Sequence, residues 1–430
     1  MRKSIICLAL AITAAITVRA ASNDSIYTLE QCVALALQHS SEAAIAKNNV
    51  SAAVELSREA FTKYFPEIDA SGFAFWANHH VLEYNVLDLI ELGIIKKGRV
   101  ASVQAMQPIF VGGQIVNGNK LAKVGEEVAR LRRTQTDDEL RLTTETLYWK
   151  LATLKATRHT LEAALVTLDS LDRQVQAAVD AGIVLMNDKL KVELKKKSYK
   201  ADLVDLDNGI LLVKMLLGQY VGLGTQGNID IVAEVPQDTP QLPFELFIPT
   251  QNALPQTVDY QLLTKNVEAK KLEKRLELGK NLPSVAVGAG WFYHNLLEQN
   301  HNFGMVLIGV NIPITSWWGG SHALKRKSLE LENAKLQLND LSEKLQIQMQ
   351  DKWNNFTAAH RKMEIESEGI AQSKENLRLN RMYYEAGMST ITDLLEAETS
   401  YTQSTDRFIA AYGEYCVARA AYLIATGQHP

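Results

Sequence analysis

Asp393 and Glu396 stand three residues apart in Thr392-Asp393-Leu394-Leu395-Glu396, so a helix puts both carboxylates on one face. Gathered round a threefold axis, each would form a ring of three acids, which favours cations and hinders anions. Repulsion within such a ring raises the carboxyl pKa. On spacing alone, Asp393 reads as a helix-start residue, where negative charge suits the macrodipole. Little else suggests chemistry. There is no His-Glu-x-x-His, no phosphate-binding glycine loop and no cysteine cluster, so no enzyme and no cofactor are expected. His79, His80, His294 and His301 fall in expected outer loops and read as solvated rather than as a metal site. Lys195-Lys196-Lys197 reads as a solvated helix face.

The acidic pair belongs to a turn between two long helical patterns. Gly387 can take the left-handed conformation that closes a helix, and Thr390 or Thr392 can cap the next one. The same tip occurs earlier, at Ala181-Gly182 through Asp188-Lys189-Leu190. Ala181 matches Ala386, Gly182 matches Gly387, Asp188 matches Asp393, Leu190 matches Leu395 and Glu193 matches Glu398, all 205 positions apart. Two matched hairpin tips mark a duplication.

The rest of the chain repeats as well. Thr28 to Lys63 reads as a helix with a capping sequence at Thr28-Leu29-Glu30-Gln31, stopped by Pro66. Expected strands follow at Glu67–Trp76 and Val100–Phe110, with an unusually apolar loop at 78–99 between them. Gln114 to Ala181 is one helical run without proline, roughly 100 Å long at 1.5 Å per residue. Leu147, Leu151, Leu154, Arg158, Leu161, Leu165, Leu168, Asp172, Val175 and Val179 form a heptad seam on it. Leu190, Leu194, Ala201, Val204, Leu211 and Met215 continue that seam on the return helix. A proline-rich linker with one short strand near Ile229 to Val232 leads to the second round. Its helix is Val258–Lys280, stopped at Pro283; its strands are Ser284–Tyr293 and Phe303–Pro313. Gly319-Gly320 opens a helix from about Ser321 to Ala386, with Phe356, Met363, Ile370, Leu377 and Tyr384 seven apart. The return helix is Leu394–Ala425.

Arg2-Lys3, an apolar run to Val18 and Val18-Arg19-Ala20 read as a secretory signal cleaved after Ala20. Of 45 basic residues the signal holds three, which leaves 42 against 49 acidic, a net of −7. That balance argues against nucleic acid as a partner. Cys32 and Cys416 remain, either as a disulfide or as two buried thiols. No later stretch has the apolar length of a membrane helix, so a membrane role would use strands. Four strands cannot close a barrel, whereas three copies give twelve, with Trp76, Trp291, Phe292, Tyr293 and Phe303 near an interface.

The chain resembles the TolC-like outer-membrane efflux factors. The resemblance spans the mature chain and rests on the duplicated order, on both tips, and on Pro-Ile-Phe-Val-Gly-Gly at 108–113 with its counterpart Pro313 to Gly320. The second spacing is two residues longer and holds Trp317-Trp318. The resemblance implies a mainly α fold with membrane strands: long-helix hairpins in a trimeric α-barrel, continuous with a shared twelve-stranded β-barrel in outer-membrane lipid. It implies a first repeat over 21–221, a linker over 222–257 and a second repeat over 258–430, after the signal at 1–20. It implies a passive export duct of a tripartite efflux or type I secretion system, working with a periplasmic adaptor and an inner-membrane pump. Asp393 and Glu396 then match the acidic gate, Asp188 and Tyr384 the links that close the tip, and Gly182 and Gly387 the tips that dock on the adaptor. A basic residue is usual two positions after the second-tip glycine; Ser389 stands there. Two other classes compete. A periplasmic coiled-coil adaptor or scaffold would carry one hairpin between compact β domains, and a soluble periplasmic enzyme would show a site.

Overall fold

The computed structural model describes residues 25–81, 83–86, 90–93, 95–226, 229–232, 235–236, 239–296, 299–314 and 316–428. The signal sequence and the middle of the apolar run at 86–90 lie outside the described residues. In chain order the elements are β1 (Ser25–Tyr27), α1 (Leu29–His39), α2 (Ser41–Thr62), β2 (Glu67–Trp76), β3 (Glu83–Val86), β4 (Ile90–Gly93) and β5 (Lys97–Val111). Then come α3 (Gln114–Asp180), α4 (Met186–Tyr220), β6 (Ile229–Ile231), α5 (Thr250–Ala253) and α6 (Val258–Lys280). The chain ends with β7 (Ser284–Asn295), β8 (His301–Asn311), α7 (Ser316–Glu385) and α8 (Ile391–Ala425). Long helices dominate, and the order helix, two long strands, long helix, tip, return helix occurs twice.

Several boundaries differ from the sequence reading. The helix expected over Thr28 to Lys63 is two helices, because Ser40 is extended at φ −64°, ψ 139°. Its start is as read: Gln31 N–H donates to Thr28 Oγ1 at 3.3 Å and Thr28 N–H donates to Gln31 Oε1 at 3.0 Å, a capping box. The loop expected over 78–99 holds a β3–β4 ladder, and β5 already begins at Lys97. The linker strand is β6, paired in parallel with β1. Gly112 and Gly113 turn the chain at φ +60° and +76°, but Gly319 and Gly320 lie inside the first turn of α7 rather than before it. Both glycine pairs serve close approach. A Cβ on Gly112 would meet the backbone of Gly279, and one on Gly320 would meet the Asn281 side chain.

The chain divides into two compact units. The first comprises the residues up to Ser40, Thr143–Thr239 and Lys362–Glu414. Its main core joins Leu161, Leu168 and Val175 of α3 to Val192 and Tyr199 of α4 and to Leu377, Ile391 and Leu394 of α7 and α8. Each fully buried Leu or Val contributes about 1.5–3 kcal/mol. A second cluster joins Cys32, Tyr148, Leu151, Leu217 and Ile229. The α3 seam is therefore the expected one. The expected α4 seam is not: Leu190, Leu194, Ala201, Val204, Leu211 and Met215 are exposed, and Val192, Tyr199, Val213 and Leu217 are buried instead. Ion pairs Arg158–Asp207 at 2.6 Å, Lys196–Asp169 at 2.7 Å and Arg407–Glu366 at 2.9 Å run along the hairpins. Each keeps at least one partner in solvent, so they add little energy but match one helix to the next.

The second unit comprises Ser41–Leu142, Pro240–Arg361 and Tyr415–Pro430. It contains an antiparallel sheet in the order β2-β5-β7-β8. Side chains alternate across a strand, so the register sorts them by face. One face holds Ile68, Ala70, Gly72, Ala74, Ala101, Val103, Ala105, Val285, Val287, Ala289, Val306, Ile308 and Val310, and its charges, Lys97 and Arg99, lie at the start of β5 opposite Trp76 and Ala74. The other holds Glu67, Asp69, Ser71, Ser102 and Gln104. Trp76, Trp291 and Tyr293 fall on this mainly apolar face near the end that carries Lys97 and Arg99, but Phe292 and Phe303 do not; they stack on the opposite face at 5.4 Å. Beyond the sheet, Phe356 is fully buried against Trp353, Tyr415 and Tyr422. Cys32 and Cys416 are both buried thiols and are not joined in a disulfide.

Candidate functional site at the hairpin tips

Both tips are built alike. At the first, Gly182 has φ +70°, Gly182 N–H donates to Val179 O at 2.9 Å and Ile183 N–H donates to Ala178 O at 2.9 Å. At the second, Gly387 has φ +69°, Gly387 N–H donates to Tyr384 O at 3.0 Å and Met388 N–H donates to Tyr383 O at 2.8 Å. This six-residue closure ends each outgoing helix, and an L side chain at either glycine would be strained. A Cβ on either one would project into open space. The left-handed backbone read from sequence is present at both tips.

The helices that leave the tips start differently. α4 starts after Leu185 without a side-chain cap. α8 starts on a reciprocal cap: Thr390 N–H and Oγ1–H donate to Asp393 Oδ2 at 2.9 and 2.7 Å, and Asp393 N–H donates to Thr390 Oγ1 at 3.2 Å. These bonds to Thr390 hold the Asp393 carboxyl below its ordinary range. Within one chain the shift is thus opposite to the one mutual repulsion would give. Asp393 and Glu396 are both exposed, on the side of α8 away from buried Ile391, Leu394 and Leu395. The structure so places the two acids together on an outward face and also makes Asp393 a capping residue.

Asp188 and Tyr384 come together within the same chain. Burial pushes the Tyr384 hydroxyl up, and the nearby charge of Asp188 adds to it. A residue the sequence reading missed connects the two tips: Lys191 Nζ donates to Asp188 Oδ1 and to Thr392 Oγ1, each at 3.1 Å. Its spacing of three from Asp188 was the available signal. Two acids, one buried and one half-buried, were also missed as such. Glu398 sits on the packed side of α8, 3.9 Å from Arg381; burial pushes its carboxyl up and Arg381 draws it back. Asp406 is pushed up to about 6, first by burial and then by Asp202 nearby, against a hydrogen bond from Thr157. Its Oδ1 is buried without a hydrogen-bond partner. Among the described residues no group of three or more His, Cys, Asp or Glu is placed to hold a metal ion.

No family model and no curated protein matches the sequence. Solved structures match its fold almost from end to end. The outer membrane protein VceC of Vibrio cholerae is 17% identical, with 93% of this chain and 96% of that one covered and a TM-score of 0.78. The CmeC outer membrane channel of Campylobacter jejuni is 13% identical, covering 93% and 85%, with a TM-score of 0.80. The MtrE outer membrane channel of Neisseria gonorrhoeae, in its open state, is 15% identical, covering 93% and 88%, with a TM-score of 0.75. The chain has the fold of these channels.

Proposed function

We propose that the chain is the outer-membrane component of a tripartite efflux or type I secretion system, a passive duct for small molecules or proteins. Three copies share one twelve-stranded barrel and one helical barrel. The tips dock on a periplasmic adaptor that serves an inner-membrane pump. The observation that carries this reading is the sheet β2-β5-β7-β8, which has one mainly apolar face, charged only at Lys97 and Arg99 near one end, and ends at β2 and β8. In lipid an open edge leaves N–H and C=O groups unsatisfied, at several kcal/mol each. Four strands must then be completed by other copies, and three copies reach an even number in the known range. The strands have 10, 15, 12 and 11 residues, enough to cross a bilayer when tilted. Among the described residues no helix is long and apolar enough to cross one. The exposed apolar row on α4 supports the same assembly, since Leu190, Leu194, Val204 and Leu211 need another chain to cover them.

In this duct Asp393 and Glu396 form the acidic gate, Asp188 and Tyr384 hold the tip closed, and Gly182 and Gly387 meet the adaptor. The repeats are 21–221 and 258–430, around the linker 222–257. A periplasmic adaptor or scaffold fits less well, because this chain has two hairpins and four membrane-length strands. Fractionation and planar-bilayer recording test the reading together. The protein should stay with outer membrane after a salt wash, and the purified particle should conduct. Release by salt, or an intact particle that never conducts, would overturn it.

A further inference from the structure

We propose that His294 and His301 form a two-imidazole site for a divalent transition-metal ion of the Cu²⁺, Ni²⁺ or Zn²⁺ kind. The two are the last Cα partners of the β7–β8 ladder, with ring centroids 5.2 Å apart and planes 30° apart. Directly opposed residues hold their Cβ atoms about 4.5–5.5 Å apart. A metal ion bound at about 2.0–2.1 Å by two ring nitrogens sets those nitrogens roughly 3.4 Å apart in tetrahedral geometry. The rings are stacked, so a shared ion requires each to turn about its Cβ bond until one nitrogen of each ring faces the ion in its own plane. Imidazole is a ligand that suits these ions, and Cu²⁺ binds most tightly of the series.

The surroundings hold the pair in place. Phe303 meets His294 edge-on at 6.4 Å and stacks on Phe292 at 5.4 Å. Asn300 Oδ1 accepts from Tyr293 OH at 2.9 Å and from Asn295 Nδ2 at 2.7 Å, which ties the turn to the strand end. The second observation is an orphaned atom: His294 Nδ1 is buried and has no hydrogen-bond partner. A buried polar atom without a partner requires an explanation, and a bound cation supplies one. The register puts both rings on the face that carries Ser71, Ser102 and Gln104, away from the mainly apolar face. Two protein ligands leave the remaining positions to water, so the ion exchanges readily rather than serving as a structural core. Both ligands come from one chain, so the site stands or falls separately from the duct reading.

The test titrates Cu²⁺ into the purified full-length protein by calorimetry and records its electron paramagnetic resonance spectrum. The tightest class of sites should hold one ion per chain and show hyperfine coupling to two imidazole nitrogens. His294→Gln and His301→Gln should each weaken that class at least about tenfold, the loss that even a second-shell partner can cause. The double variant should weaken it no further, since one missing ligand already breaks the chelate. A spectrum from the native protein with one imidazole nitrogen or none would overturn the proposal without recourse to any variant. So would a loss that follows His79→Gln with His80→Gln, at the same end of the sheet, and spares the two single variants.

Discussion

Replacing Asp406 with Asn should stabilise the helical unit at neutral pH. Burial raises this carboxyl from 3.8 to about 6, and Asp202 adds to the shift. A raised carboxyl means that the folded state binds the proton more tightly than the unfolded chain does. Stability is therefore highest below the unfolded value and falls as pH rises from 3.8 to about 6. A shift of about two units corresponds to roughly 3 kcal/mol at neutral pH. Partial solvent access screens the charge and lowers this to about 1–2 kcal/mol. Asn keeps the volume and removes the charge, and the bond from Thr157 can go to its carbonyl oxygen. Thermal melts of native protein and Asp406→Asn across mildly acidic to neutral pH measure the effect. The native melt should fall as pH rises through the window. The variant should stay flatter and melt roughly 2–4 °C higher at neutral pH. A variant less stable at neutral pH, with the native slope intact, would refute the burial argument and make Asp406 a favourable ionised group.

Phe356→Ala should cost about 3–5 kcal/mol, because the ring is fully buried among Trp353, Tyr415 and Tyr422; denaturant unfolding reads it. Gly112→Val combines a β-branched residue at φ +60° with a clash on Gly279, so assembled protein should be largely lost from the membrane fraction while Gly118→Ala, with open space around it, is tolerated. Asp393→Asn with Glu396→Gln should remove the cation preference of single channels and their block by trivalent cations from the tip side. In the proposed acid ring the hydrogen bonds from Thr390 oppose mutual repulsion, so the preference should persist to lower pH than repulsion alone allows; block of the double variant at native strength would place the gate elsewhere.

The helices and tips were legible in sequence because they depend on local signals: glycine at a left-handed position, a Thr-to-Asp cap and an apolar residue every seven. Met363 and Leu377 are buried as that spacing required. What sequence could not decide was which apolar row of α4 belongs to its own hairpin. Val192, Tyr199 and Val213 repeat at seven, and so do Leu194 and Ala201, and Val204 and Leu211. Both rows are apolar, and only packing tells them apart. Ser40 escaped notice because a single extended residue interrupts two helices of compatible pattern. The aromatic residues near the strand ends were read as one group; the alternation of Trp291 and Phe292 sends neighbours to opposite faces, which requires a register to see. Glu398 and Asp406 look like ordinary surface acids in sequence, since burial is a tertiary property.

The central claim is that one chain supplies four strands of a barrel that others complete. Native mass spectrometry of the detergent-purified protein counts the chains directly. Three chains in one particle, with no monomer that conducts, is the result expected from a sheet that ends at β2 and β8. A conducting monomer, or a particle whose chain count is not three, would contradict it.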